Sequence, residues 1–107
     1  MAALLIVQAT VTQREAYKRY QAAVQPLMAA FGGKLKGTGV GLEVLEGSHD
    51  GRRLVVFEFP SMDAIRGFWK SAEYQKVKKL REGAATIDVW AVPAAPLAHT
   101  PLNRGAA

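Results

Sequence analysis

Leu54-Val55-Val56-Phe57-Glu58-Phe59-Pro60-Ser61-Met62-Asp63 is the stretch on which the fold turns. Its first six residues are aliphatic or aromatic except Glu58, the make-up of a buried strand. Pro60 has no N–H to give to a strand ladder and ends the run. Ser61 then stands where a helix N-cap belongs, and Asp63 in the first turn faces the positive end of the helix dipole. Met62, Ile65, Phe68 and Trp69 recur at helical spacing and form one apolar face. Ser71 can cap a second short helix that carries Tyr74, Val77 and Leu80 on one side, with Arg81 near its end.

Upstream, Leu4 to Ala9 is apolar apart from Gln8, as in a central strand buried on both faces. Thr12-Gln13-Arg14-Glu15 is a capping-box pattern, in which Thr12 caps and Glu15 reaches back. The helix that follows runs to about Phe31, with Tyr17, Tyr20, Val24, Leu27, Met28 and Phe31 on its buried face and Pro26 bending it. Gly32-Gly33 supplies a left-handed stop. Lys34 to Glu46 reads as a strand that is bulged or bent at Gly37, Gly39 and Gly41 and firmer over Leu42–Glu46. The turn Gly47-Ser48-His49-Asp50-Gly51 makes a hairpin with the strand Leu54–Phe59. A last strand covers roughly Thr86 to Val92 and is closed by Pro93. The order βαββαβ is that of an α+β, ferredoxin-like fold with a four-stranded antiparallel sheet. Its helices cover one sheet face, and a second copy of the chain is the natural cover for the other, so a homodimer is expected. Residues 1–92 make one domain, and 93–107 a proline-rich tail, extended or disordered.

The run FEFPSMDAIRGFWKSAEYQ, followed by Arg81 and preceded by Gly33, Glu46 and Gly47, resembles the uncharacterised family called domain of unknown function 1330. The resemblance covers about Leu4 to Val92, with Ala72 where the family usually has proline and Trp69 where tyrosine is common. It implies a dimeric α/β-barrel, two ferredoxin-like subunits joined sheet to sheet. It implies no reaction. Proteins of similar architecture include cofactor-independent oxygenases, small-lactone isomerases and stress-responsive proteins without known activity, and fold does not choose among them.

Composition narrows the classes. Half of the 107 residues are hydrophobic and 21% charged, an ordinary globular balance. No apolar run approaches the roughly 20 residues of a membrane-spanning helix, and no signal peptide is readable, so a cytoplasmic protein with no membrane partner is expected. Absence of cysteine excludes disulfides and thiolate chemistry. The net charge of +5 is scattered, with one denser group at Lys70, Lys76, Lys78, Lys79 and Arg81. That group reads as a solvated face rather than a nucleic-acid interface. His49 and His99 stand alone, so neither a metal nor another cofactor is expected.

Strand parity points to a site. Ile87, Val89 and Ala91 belong under the helices, as do Val55, Phe57 and Phe59, which sends Glu58, Asp88 and Trp90 to the opposite face with Gln8. Gln8, Glu58 and Asp88 are expected to converge there in a barrel cavity, with Arg81 within reach of one acid. Two carboxylates in a partly apolar cavity could move a proton or assist oxygenation. The plainer reading, which outweighs the others, is that they are structural, tied to Arg81, Arg53 or a backbone amide; ligand contact comes next and catalysis last. The candidate catalytic residues are Glu58 and Asp88, and the candidate ligand-binding residues Gln8, Tyr17, Tyr74, Arg81 and Trp90. The expected ligand is a small, partly apolar or anionic molecule. The alternative is a non-enzymatic, ligand-binding or stress-associated dimer.

Overall fold

The computed structural model describes residues 2–38 and 42–94. Strand β1 (Ala3–Val11) leads into helix α1 (Arg14–Ala30), followed by β2 (Lys34–Thr38) and β3 (Arg53–Phe59). Helices α2 (Met62–Lys70) and α3 (Ala72–Lys78), a 3₁₀ turn (Lys79–Arg81) and β4 (Ala85–Pro93) complete the chain. The sheet order is β2-β3-β1-β4, every neighbouring pair antiparallel, which is the ferredoxin-like topology.

Local chemistry fixes the helix ends. Ser61 Oγ accepts from Ala64 N–H at 3.0 Å and Ser71 Oγ from Tyr74 N–H at 3.1 Å, so both serines cap as their positions imply. At the end of α1, Gly32 takes φ +86°, and Gly33 N–H donates to Met28 C=O at 2.9 Å. This is the left-handed stop that glycine makes without steric cost. A side chain at Gly33 would meet the Phe59 ring at 2.7 Å, so the turn and the strand end are fitted to each other. Under the helices lies a core of Ala3, Leu5, Val24, Met28, Phe59, Ile65, Phe68 and Tyr74.

Two local expectations are corrected. Thr12 does not cap α1: the N-cap is Gln13, with no side-chain bond, and Thr12 Oγ1 donates to Ala84 C=O at 3.1 Å. The Thr12 and Gln13 amides also reach that carbonyl. A tertiary acceptor has displaced the local one, tying the start of α1 to the start of β4. Nor is Leu42–Glu46 a strand. The second strand ends at Thr38 after a bulge between Leu35 and Gly37, and Leu42, Val44 and Leu45 are exposed. Glycine at the bulge leaves little side chain to hold an edge strand in register. The hairpin turn is instead pinned through Arg52, which donates to Asp50 on its own loop and to Asp88 on β4. β4 keeps Pro93 as its last residue, tolerated because β4 is an edge strand. The tail expected beyond Pro93 lies, from residue 95 on, outside the described residues.

Candidate functional site

The register settles which side chains share a face. Leu4 lies opposite Glu58 and Val92, Ile6 opposite Val56 and Trp90, and Gln8 opposite Leu54 and Asp88. Side chains directly opposite each other across a ladder project from the same face. Glu58, Asp88, Gln8 and Trp90 therefore share the face away from the helices. Their convergence holds only in part. Asp88 is beside Gln8, whereas Glu58 belongs to the row of Leu4, four residues back along β1. At about 3.3 Å per residue that is roughly 13 Å, too far for the two carboxylates to act on one proton. Parity assigns a face but not a row, which is why periodicity alone brought them together.

Each acid has a cation of its own. Glu58 is 3.9 Å from Lys36 Nζ, and both side chains are more than a third exposed. Asp88 accepts from Arg52. Arg81 engages neither acid, contrary to expectation. It projects on the helix side, its guanidinium 5.5 Å from the centre of the Tyr20 ring. The 3₁₀ turn that carries it packs against α1, not against the far side of the sheet, and that decides its direction. Its Nε–H is enclosed and has no acceptor among the described residues.

Arg81 belongs to a cluster of phenols. The Tyr20 and Tyr74 hydroxyls share a hydrogen bond of 3.0 Å, and the Tyr17 ring lies 5.6 Å from that of Tyr20. Phe68 and Trp69 lie against Tyr74 at 4.5 and 5.0 Å, extending the aromatic wall. Burial pushes the Tyr20 hydroxyl well above its usual range, the neighbouring Tyr74 adds to the rise, and Arg81 offsets only part of it. Burial raises Tyr17 as well, opposed by the charges of Arg81 and Arg53.

This cluster borders a cleft between α1 and the helix-covered face of the sheet. Its inner end is a hollow of about 80 Å³ walled by Leu5, Val24, Phe57, Trp69, Tyr20 and Tyr74. It opens toward β2 into a chamber of about 350 Å³ and toward the start of α1 into another of about 410 Å³. Gln21 and Val55 line all three spaces, which therefore adjoin between α1 and the sheet and are taken together as one cleft. Arg53 lines both outer chambers, and Arg14, Tyr17 and Lys18 line the second. Among the described residues no Asp or Glu lines any of the three. Periodicity could not find this cleft, because it records which residues face the core and not how far a helix stands from the sheet. Trp90 borders a different groove, of about 380 Å³, with Trp69, Arg66 and Lys70. Among the described residues no three His, Cys, Asp or Glu side chains gather as metal ligands. No helix among them is long and apolar enough to cross a membrane.

Topology and cleft together define a small ferredoxin-like α+β protein with a pocket between helix and sheet. The chain belongs to the family described as domain of unknown function (DUF1330), which it matches over residues 2–95. No curated protein matches it. Among solved structures it is similar to a protein of unknown function from Rhodopseudomonas palustris, with 22% identity, a TM-score of 0.70 and coverage of 89% of this chain and 84% of that one. It is similar also to SnoaB, a cofactor-independent oxygenase from Streptomyces nogalater, at 12% identity and TM-score 0.55, covering 92% of this chain and 97% of that one. A third is a dimeric protein of unknown function and ferredoxin-like fold from Bacteroides fragilis, at 12% identity and TM-score 0.57, covering 87% and 96%. At these identities the likeness is one of fold.

Proposed function

We propose that this protein binds a small, largely apolar molecule in the cleft between α1 and the sheet, and does so as a homodimer joined through the bare sheet face. The observation that carries the binding reading is that three spaces adjoin along α1, sharing Gln21 and Val55. An apolar hollow opens into chambers of about 350 and 410 Å³, within the range of small-molecule pockets. The hollow alone, at about 80 Å³, takes only the tip of a ligand. The dimer reading is supported by a contiguous apolar surface of Leu4, Ile6, Leu54 and Val56, with Trp90 and Val92 48% and 42% exposed. Such a surface is characteristic of an interface. The dimeric Bacteroides fragilis protein of the same fold agrees with it.

Binding comes before chemistry in this reading. The ionisable groups lining the cleft are phenols and cations, so turnover there would use the Tyr20–Tyr74 hydroxyl pair to hold or pass a proton, not a carboxylate. Proton transfer by Glu58 and Asp88 requires instead a chamber enclosed between two sheets. The experiment obstructs the cleft from two sides. Val55→Trp fills it from the sheet and Gln21→Trp from the half-buried flank of α1. Either should weaken 1-octanol or octanoate binding, followed by calorimetry, by about tenfold or more, as expected for a ligand that loses most of its apolar contact. Undiminished binding in both folded variants sinks the reading.

A further inference from the structure

We infer that the ligand of this cleft is an amphiphilic anion, its apolar body along α1 and its carboxylate received by Arg53 beside Tyr17. The inference rests on the binding reading above and adds the charge of the ligand. Its ground is the asymmetry of the walls. The inner end is almost wholly apolar, and its polar groups are neutral: the hydroxyls of Tyr20 and Tyr74 and the amides of Gln21 and Gln25. The outer chambers carry Arg14, Lys18 and Arg53 and no acid. Of these, Lys18 has a counter-ion, Glu15 at 3.8 Å, on an exposed surface where such pairs are weak. Neither Arg53 nor Arg81 is in an ion pair among the described residues.

Arg53 is the cation that both outer chambers share, and Tyr17 lines the second of them with it. A carboxylate received there would supply the counter-charge that Arg53 lacks among the described residues. The positive charge of Arg81, which is felt at Tyr17, acts in the same direction. A neutral ligand of the same shape would leave Arg53 without a counter-charge.

The test compares octanoate with 1-octanol, equal in apolar length and different in charge, on the full chain at pH 7 and low salt. Octanoate should bind about tenfold or more tightly, the usual worth of a charge-assisted hydrogen bond, and added salt should erode that preference. Arg53→Gln, at an exposed position that folding tolerates, should remove most of the preference for octanoate over octanol. Equal affinity of the two probes, with both displaced by Val55→Trp, overturns the inference and leaves the binding reading standing. Octanoate binding that Val55→Trp does not weaken overturns the inference too, because the anion then sits on the outer surface. If neither probe binds in a way that Val55→Trp affects, both readings fall.

Discussion

Leu5 and Ile6 are neighbours on one strand and live in different environments. Leu5 is 4% exposed beneath the helices, in a core that the chain completes by itself. Ile6 stands in the middle of the opposite face, between Val56 and Trp90, where no element among the described residues covers it. The sheet thus has one finished face and one that is apolar, bare and edged with charge pairs. A strand alternates its side chains with a period of two, so both faces can be rich in valine and isoleucine while only one receives the helices. The covered face carries the stability of the chain and, with the cleft, its pocket. The bare face is the one proposed to carry its association.

Truncation separates the two. Leu5→Ala should destabilise the chain by about 2–5 kcal/mol, through lost burial and the cavity left behind. This loss, read from denaturant unfolding, should not depend on protein concentration. Ile6→Lys should leave the isolated chain folded and raise the dissociation constant of the dimer on the order of a hundredfold, about 3 kcal/mol, by placing a charge in an apolar contact. Sedimentation equilibrium reads it. If both variants act alike on both measurements, the distinction between the faces is wrong. If the natural chain sediments as a monomer at micromolar concentration, the bare face is not a dimer interface.

The distinction between faces was legible in the sequence, and its contents only partly. Alternation in Val55–Phe59 and Ile87–Ala91 assigns each side chain to its face, and the serines after Pro60 and Lys70 mark helix starts, because these effects act within a few residues. What escaped depends on distant parts of the chain. Thr12 prefers a carbonyl at Ala84, seventy-two positions away, to its own helix. Leu42, Val44 and Leu45 have a strand's composition but no strand to pair with. Arg81 is near β4 in sequence, but the 3₁₀ turn directs it to the phenols of α1 and α3. The cleft is a distance between α1 and the sheet, and no pattern of residue types encodes that distance.

High pH probes the covered face more gently. The Tyr20 hydroxyl ionises far less readily in the folded chain than in the unfolded one, chiefly because it is buried. The folded state therefore holds a proton that the unfolded state gives up. The stability tied to it is complete below the unfolded value near 10 and is lost as pH rises above it. Unfolding free energy should decline above about pH 10, and Tyr20→Phe should flatten the decline at a cost of about 1 kcal/mol at neutral pH for the lost bond to Tyr74. The same slope in the natural chain and in Tyr20→Phe would place the titration elsewhere.

The smallest effects should come from the acids of the bare face, and they bear on whether that face does anything besides associate. Glu58 and Lys36 are 3.9 Å apart and substantially exposed, so Glu58→Gln should change stability by less than about 1 kcal/mol. Asp88 holds Arg52 and, through it, the loop at Asp50, so Asp88→Asn should loosen that loop first, seen as faster amide exchange near Gly51. Neither substitution should alter octanoate binding, because no acid lines the cleft. A catalytic use of these residues needs the second copy to enclose them, with Gln8 beside Asp88 and Trp90 one row away. In that event Glu58→Gln would abolish ligand binding or turnover in a dimer that remains intact. The two assignments of the ligand site are thus opposed on one variant. Full octanoate affinity in Glu58→Gln, with affinity lost in Val55→Trp, puts the site between α1 and the sheet, and the reverse result puts it between the two sheets.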